Sequence, residues 1–168
     1  WRNAANILFN RYLDLTAADE GGLALMPLFL AVRAAIRAHV MAAQGKPDEA
    51  AAFLDLALAL LRDETPRLVA IGGLSGSGKS TLARAIGGAV GRAPGARVLR
   101  SDVLRKRIAG LLPEQRLPTA AYTADANAAV YDELIRLARE ALRQGQSVVA
   151  DAVFARPAER ATIARLAP

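Results

Sequence analysis

Two textures of apolar and polar positions divide the chain near residue 67. Before it the pattern is helical. Residues 2–13, 27–41 and 48–61 read as helices, with Pro27 suited to a first helical turn and Gly45-Lys46-Pro47 as a break. Ala52, Leu56, Ala59 and Leu60 recur near helical spacing in the third. Asp63-Glu64-Thr65-Pro66 reads as a linker. After it, short apolar runs alternate with helical stretches. Strands are predicted over 67–72, 97–100 and 147–150, and helices over 81–86, 102–109, 125–144 and 158–166. Gly91 to Gly95 forms a turn and 112–118 a loop. Such alternation implies an α/β fold, a parallel sheet with helices on both faces, preceded by an α-helical segment. The organisation expected is a helical segment over 1–62, a linker over 63–66 and an α/β unit over 67–168. Ligands on such sheets sit at the carboxyl ends of the strands.

Composition narrows this picture. The 168 residues hold one ordinary domain or parts of two, and 53% hydrophobic content supports a sizeable core. A first residue Trp1, and a final Pro168 that follows a helical pattern without a further strand, point to a segment of something longer. The absence of cysteine excludes disulfides and thiolate metal sites and fits a cytoplasmic setting. The single histidine, His39, leaves little room for a histidine metal site or triad and is assigned no function. The longest nearly uncharged apolar stretch, residues 21–32, stops at Arg33, short of the ~20 residues of a membrane span, so no membrane partner is expected. A net charge of +6 favours anionic partners. The arginines are scattered without interleaved aromatics, so most read as solvated faces, which argues against nucleic acid.

The run Gly73-Leu74-Ser75-Gly76-Ser77-Gly78-Lys79-Ser80-Thr81 fits the phosphate-binding loop G-x-x-x-x-G-K-[ST]. Glycines let successive N–H groups turn inward to form an anion site, and the helix that follows aims its positive end at the same point. Lys79 would reach the β/γ-phosphates of ATP and the Ser80 hydroxyl would ligate Mg²⁺. The bland alternative, a glycine-rich turn without a ligand, is disfavoured by the strand–loop–helix order around it. The residues expected to touch the nucleotide are Gly73, Ser75, Gly76, Ser77, Gly78, Lys79, Ser80 and Thr81.

Two further carboxylates lie at strand ends. Asp151 ends Val148-Val149-Ala150, where an acid can organise Mg²⁺; the alternative is an Asp capping the next loop or helix. Asp102 follows the second strand, where it can take or orient the proton of a substrate hydroxyl. Ser101 and Asp102 are equally good helix starters, and that reading stays open beside the first. Arg105, at i+3, can share a face with Asp102 and grip an anionic group, although Arg105-Lys106-Arg107 also reads as a solvated face. Tyr122, Tyr131 and Phe154 read as core or pocket wall.

With these pieces in place, residues 67–168 resemble the N-terminal half of a small P-loop kinase of the gluconate-kinase-like, polynucleotide-kinase-like or zeta-toxin-like groups. The likeness rests on Gly73 to Thr81, Ser101-Asp102-Val103-Leu104-Arg105, and Val148-Val149-Ala150-Asp151-Ala152-Val153-Phe154. It implies that Asp102 and Arg105 contact the phosphoryl acceptor and that Asp151 supports Mg²⁺. Arg156 and Arg160 are further candidates that spacing does not place. Residues 1–62 are similar to the tail of an aminoglycoside-phosphotransferase-like domain, through 9–14 and 27–37. The chain thus resembles the junction of a bacterial fusion whose second part is often labelled an AAA-family ATPase. The partners implied are ATP, Mg²⁺, a small-molecule hydroxyl acceptor and the rest of the polypeptide on both sides. Lid arginines, later strands and the adenine contact would lie past Pro168, so the piece alone is expected to be inactive and to expose two apolar surfaces. The function expected is γ-phosphoryl transfer from Mg·ATP to a small-molecule hydroxyl. A 5′-hydroxyl nucleic-acid kinase with steep salt dependence, and a non-catalytic nucleotide-sensing module, are the alternatives.

Overall fold

A computed structural model describes residues 1–118 and 123–167, excluding the side chain of Ala17. Tyr122 and Pro168 lie outside the described residues. In chain order the elements are α1 (Arg2–Leu15), a 3-10 helix (Ala17–Leu25), α2 (Met26–Ala43), α3 (Pro47–Leu60), β1 (Leu68–Ile71), α4 (Lys79–Gly87), β2 (Arg97–Arg100), α5 (Ser101–Ile108), α6 (Ala124–Arg143), β3 (Val148–Asp151) and α7 (Pro157–Ala164). The 3-10 helix has no counterpart in the sequence pattern. Strand β3 runs one residue past the predicted end, because Asp151 itself sits in register with Ile71 and Arg100.

The three strands are parallel in the order β1-β3-β2. Their side chains alternate between two faces, as the period of two requires. Ile71, Val98 and Val149 pack with Ala83 of α4 on one face. Leu99, Val148 and Ala150 lie in the core on the other, with Val130, Leu134, Leu137, Ala138 and Ala141 of α6. The α6 residues recur at helical spacing, which is why one stripe of that helix is buried. Thr123 starts it, its hydroxyl accepting the Ala126 N–H at 3.2 Å. The α/β architecture expected from the alternation is therefore present, with three strands and helices on both faces.

In space, the first 25 residues belong with the sheet. Asn10 Oδ1 accepts the Val98 N–H at 2.7 Å, and its amide nitrogen donates to the Ala96 carbonyl at 3.0 Å. Asn6 donates to the same carbonyl at 2.9 Å. Helix α1 thus satisfies the outer edge of β2 with side-chain amides where another strand would otherwise pair. Arg97 is 1% exposed and donates to Glu20 at 2.7 Å and Asp14 at 2.9 Å. Burial works against its charge, but the carboxylates of Glu20 and Asp14 more than offset it and hold the guanidinium above its ordinary pKa.

Helices α2 and α3 form a hairpin joined through Gln44-Gly45-Lys46, with Ala31, Ala34, Ala38, Met41 and Ala57 buried. Leu28, Phe29, Val32 and Ile36 of α2 and Leu54 and Leu58 of α3 are exposed, an apolar surface of the kind expected. The expectation that no segment approaches membrane-spanning length is corrected. The helical run Ala18–Ala43 continues through Arg33 and is long and apolar enough by length and composition. Within this fold, however, Glu20 near its start is committed to Arg97, and α2 packs along α3.

Candidate functional site

The loop after β1 is shaped by backbone that only glycine supplies at low cost. Gly73 has φ +151, and a Cβ there would meet Ser77 Oγ at 2.9 Å. Gly78, with φ 85, is the N-cap of α4 and turns the chain into the helix. Among the described residues, no main-chain carbonyl accepts the N–H groups of Gly76, Gly78, Lys79 or Ser80. Those groups border a concavity of about 290 Å³ lined by Gly76, Gly78, Lys79, Ser80 and Thr81. Unpaired N–H groups at a helix N-terminus form an anion cradle. Lys79 lies at this mouth, its Nζ donating to the Leu74 carbonyl at 2.7 Å.

Ser80 Oγ donates to Asp151 Oδ2 at 2.5 Å. Asp151 is 3% exposed, at the carboxyl end of the central strand. A hydroxyl and a carboxylate are hard oxygen donors, which fits Mg²⁺. Among the described residues there is no group of three or more His, Cys, Asp or Glu that would hold a metal unaided. The pair fits a cation whose remaining ligands are phosphate oxygens and water.

The segment after β3 buttresses the loop. The Gly73 N–H donates to the Val153 carbonyl at 3.1 Å. Phe154 is buried with φ 48, an uncommon conformation for a side chain of its size. It is held by its N–H donating to Tyr131 Oη at 3.0 Å and by edge-to-face contact with that ring, centroids 5.8 Å apart. Burial raises the Tyr131 pKa above its ordinary value, with the Phe154 N–H opposing. Tyr131 and Phe154 are thus core and wall residues. Arg160 is spent on this support, donating to the carbonyls of Phe154 and Ala155. Arg156 is exposed at the start of α7, its N–H bonded to Glu159.

A second, larger cavity of about 560 Å³ opens between α1, α4, the end of β2 and α5. Asp102 lines it, with its side chain 62% exposed and paired to Lys106 at 3.3 Å. The residue capping α5 is Arg100, without a side-chain cap bond, so the Asp102 carboxylate does not serve as helix starter. Arg105 does not line the cavity; its charge acts on Tyr131, toward α6. Lys106, at i+4, takes the place expected of Arg105 beside Asp102. Arg107 is bonded to Glu133 at 2.7 Å, and both Lys106 and Arg107 are largely covered, so the run 105–107 is not a solvated face. The Arg136 hydrogen bond holds the Glu133 carboxyl below its ordinary pKa.

Two cavity residues escape motif reasoning. Arg84 lies four residues after Ser80, on the same side of α4, and Arg100 is the last residue of β2. Their spacing from Ser80 and Ser101 was the available signal. The contribution of α1 had none, since its contacts span more than 80 residues of sequence.

The model of one protein family, described as an AAA domain, matches residues 68–168. Among curated proteins, the uncharacterized proteins Rv2004c of Mycobacterium tuberculosis and Mb2027c of Mycobacterium bovis are each 36% identical over 161 residues. Each alignment covers 90% of this chain and 32% of the relative. The chain therefore spans about a third of the length of the curated relatives it matches. Coverage of that extent carries the similarity across the linker into the N-terminal helices. No solved structure matches.

Proposed function

The chain belongs to this AAA-domain family, and on that premise we propose that its protein is a P-loop phosphotransferase that moves the γ-phosphoryl group of Mg·ATP to a hydroxyl of a small molecule. The observation that carries this reading is the convergence of Lys79, Ser80 and Asp151 at one end of the sheet, with Asp102 lining a cavity at the end of the next strand. The cradle N–H groups bind the phosphate chain, and Lys79 exchanges the Leu74 carbonyl for β/γ-phosphate oxygens. Ser80 and Asp151 would hold Mg²⁺, which would supply neutralisation of the phosphate charge. Asp102 accepts or orients the proton of the attacking hydroxyl, released from Lys106 as the acceptor enters. The new bond joins acceptor oxygen to γ-phosphorus; the broken one releases ADP.

Arg105, implied by the resemblance as an acceptor contact, stands on α5 with Asp102 but outside the lining of this cavity. The helical N-terminal segment is read as the tail of a phosphotransferase-like domain, with further polypeptide on both sides completing the enzyme. Turnover belongs to that longer protein. ADP release by the full-length protein, measured with and without a panel of hydroxyl compounds that includes 5′-hydroxyl oligonucleotides, tests the reading. Release that requires a small hydroxyl compound supports it. Release indifferent to every acceptor, or responsive to oligonucleotides alone, contradicts it.

A further inference from the structure

The cavity beside Asp102 contains more positive charge than its own carboxylates neutralise. Lys106 is paired with Asp102, and Arg11 with Glu114. Asp14 is engaged by Arg97 at 2.9 Å and lies 3.8 Å from Arg100. Arg84 has no hydrogen bond or ion pair among the described residues. Two guanidiniums, Arg84 and Arg100, thus line one concave space whose carboxylates, Asp14, Asp102 and Glu114, are already engaged by Arg97, Lys106 and Arg11. Arg100 is 20% exposed, and its pKa lies below the ordinary value. Burial is the main cause, Asp14 opposes it, the nearby charge of Arg84 adds to the lowering, and Asp102 and Asp151 oppose it more weakly. An anion between the two would relieve that repulsion.

The place is also right for a substrate. Arg100 is the register partner of Asp151, so the cavity starts one strand away from the Mg²⁺-binding carboxylate. Arg84 is one helical turn beyond Ser80. The far wall comes from α1, where Ile7, 49% exposed, presents an apolar surface to the cavity.

We propose that this cavity holds the phosphoryl acceptor, that Arg84 and Arg100 bind a phosphate group the acceptor already carries, and that α1 forms the wall limiting its size. This rests on the phosphotransferase reading above. Two converging guanidiniums match a dianionic phosphate better than a monoanionic carboxylate, and each can offer it a paired fork of donors. The acceptor class is then a small phosphorylated polyol or sugar with one hydroxyl at Asp102. The segment before the linker takes part in selecting it.

The test uses the full-length protein with its loop saturated by a non-hydrolysable Mg·ATP analogue, titrated calorimetrically with inorganic phosphate, ribose 5-phosphate and ribose. The expected result is one saturable phosphate site, with ribose 5-phosphate bound at least about tenfold more tightly than ribose. Arg84→Gln, at an exposed position without a hydrogen bond or ion pair among the described residues, removes that preference without a folding defect; Arg100→Gln does the same, and Ile7→Trp narrows the cavity and weakens ribose 5-phosphate. Analogue binding with no phosphate site, or an Arg84→Gln protein that keeps the preference, overturns this proposal while leaving the nucleotide reading intact. Failure to bind the analogue overturns both.

Discussion

Ser80 Oγ and Asp151 Oδ2 are 2.5 Å apart, joining the phosphate loop to the central strand across 71 residues of sequence. The bond places a hydroxyl and a buried carboxylate at the mouth of the anion cradle. A purely structural bond and a Mg²⁺ site make different predictions. Asp151→Asn keeps an acceptor for the Ser80 hydroxyl and removes the charge. The fold should persist, and ADP affinity without Mg²⁺ should stay near wild type. The enhancement of ATP affinity by Mg²⁺ should fall roughly tenfold or more. Titrations with and without the cation check this; unchanged Mg²⁺ enhancement in a folded variant contradicts the metal role.

The buried network around Arg97 fastens the N-terminal segment to the sheet. Arg97→Met removes the hydrogen-bonded cation of Asp14 and Glu20 and leaves them only the longer approaches of Arg100 at 3.8 Å and Arg107 at 3.9 Å. Loss of one partner from such a network costs about 3–5 kcal/mol. Adding Glu20→Gln to Arg97→Met should recover part of that loss. Denaturant midpoints of the single and double variants measure it. A loss below about 1 kcal/mol would mean that apolar packing of Phe9 and Leu13, rather than the ion pairs, fastens α1.

Asn10 makes a more local test. Asn10→Ala leaves the Val98 N–H without an acceptor, while the Ala96 carbonyl keeps its bond from Asn6. The expected cost is about 1–3 kcal/mol, the usual range for one buried unsatisfied group. Amide exchange should quicken most at Val98. Uniform protection at wild-type rates would show that the edge of β2 needs no partner.

Much of this architecture was legible because its signals are local. The loop announces itself through the spacing of Gly73, Gly78, Lys79 and Ser80, and the strands through alternating apolar pairs such as Val98 with Leu99. What was illegible depends on contacts far apart in sequence. Asn6 and Asn10 read as ordinary polar positions on a helix, and nothing nearby says that they pair a strand edge 86 to 90 residues on. Arg97 reads as the charged flank of a strand, yet it is buried because Asp14 and Glu20 converge on it. On α5, the i+3 and i+4 positions are both available to Asp102. In the fold it is Lys106, at i+4, that pairs with Asp102.

Asp102 separates catalysis from stability. Asp102→Asn keeps the side-chain size, and with no cap bond to lose the fold should be unaffected. In the full-length protein, nucleotide affinity should stay near wild type and phosphoryl transfer should fall by about 10²–10⁴-fold. Single-turnover measurements separate binding from transfer. Wild-type turnover in the variant would remove Asp102 from the reaction.

Lys79 bears most directly on the account as a whole, because every step above begins with phosphates in the loop. Its Nζ is held at the loop mouth by a single bond to the Leu74 carbonyl, so Lys79→Ala removes one contact from the ligand-free fold. Calorimetric titration of the full-length wild type and of Lys79→Ala with Mg·ATP is the decisive measurement. The account predicts one site in the wild type and affinity weakened roughly tenfold to a hundredfold in a variant that remains folded, the range for a charge-assisted phosphate contact. Equal affinity in the two folded proteins, or no binding to the wild type, would contradict it.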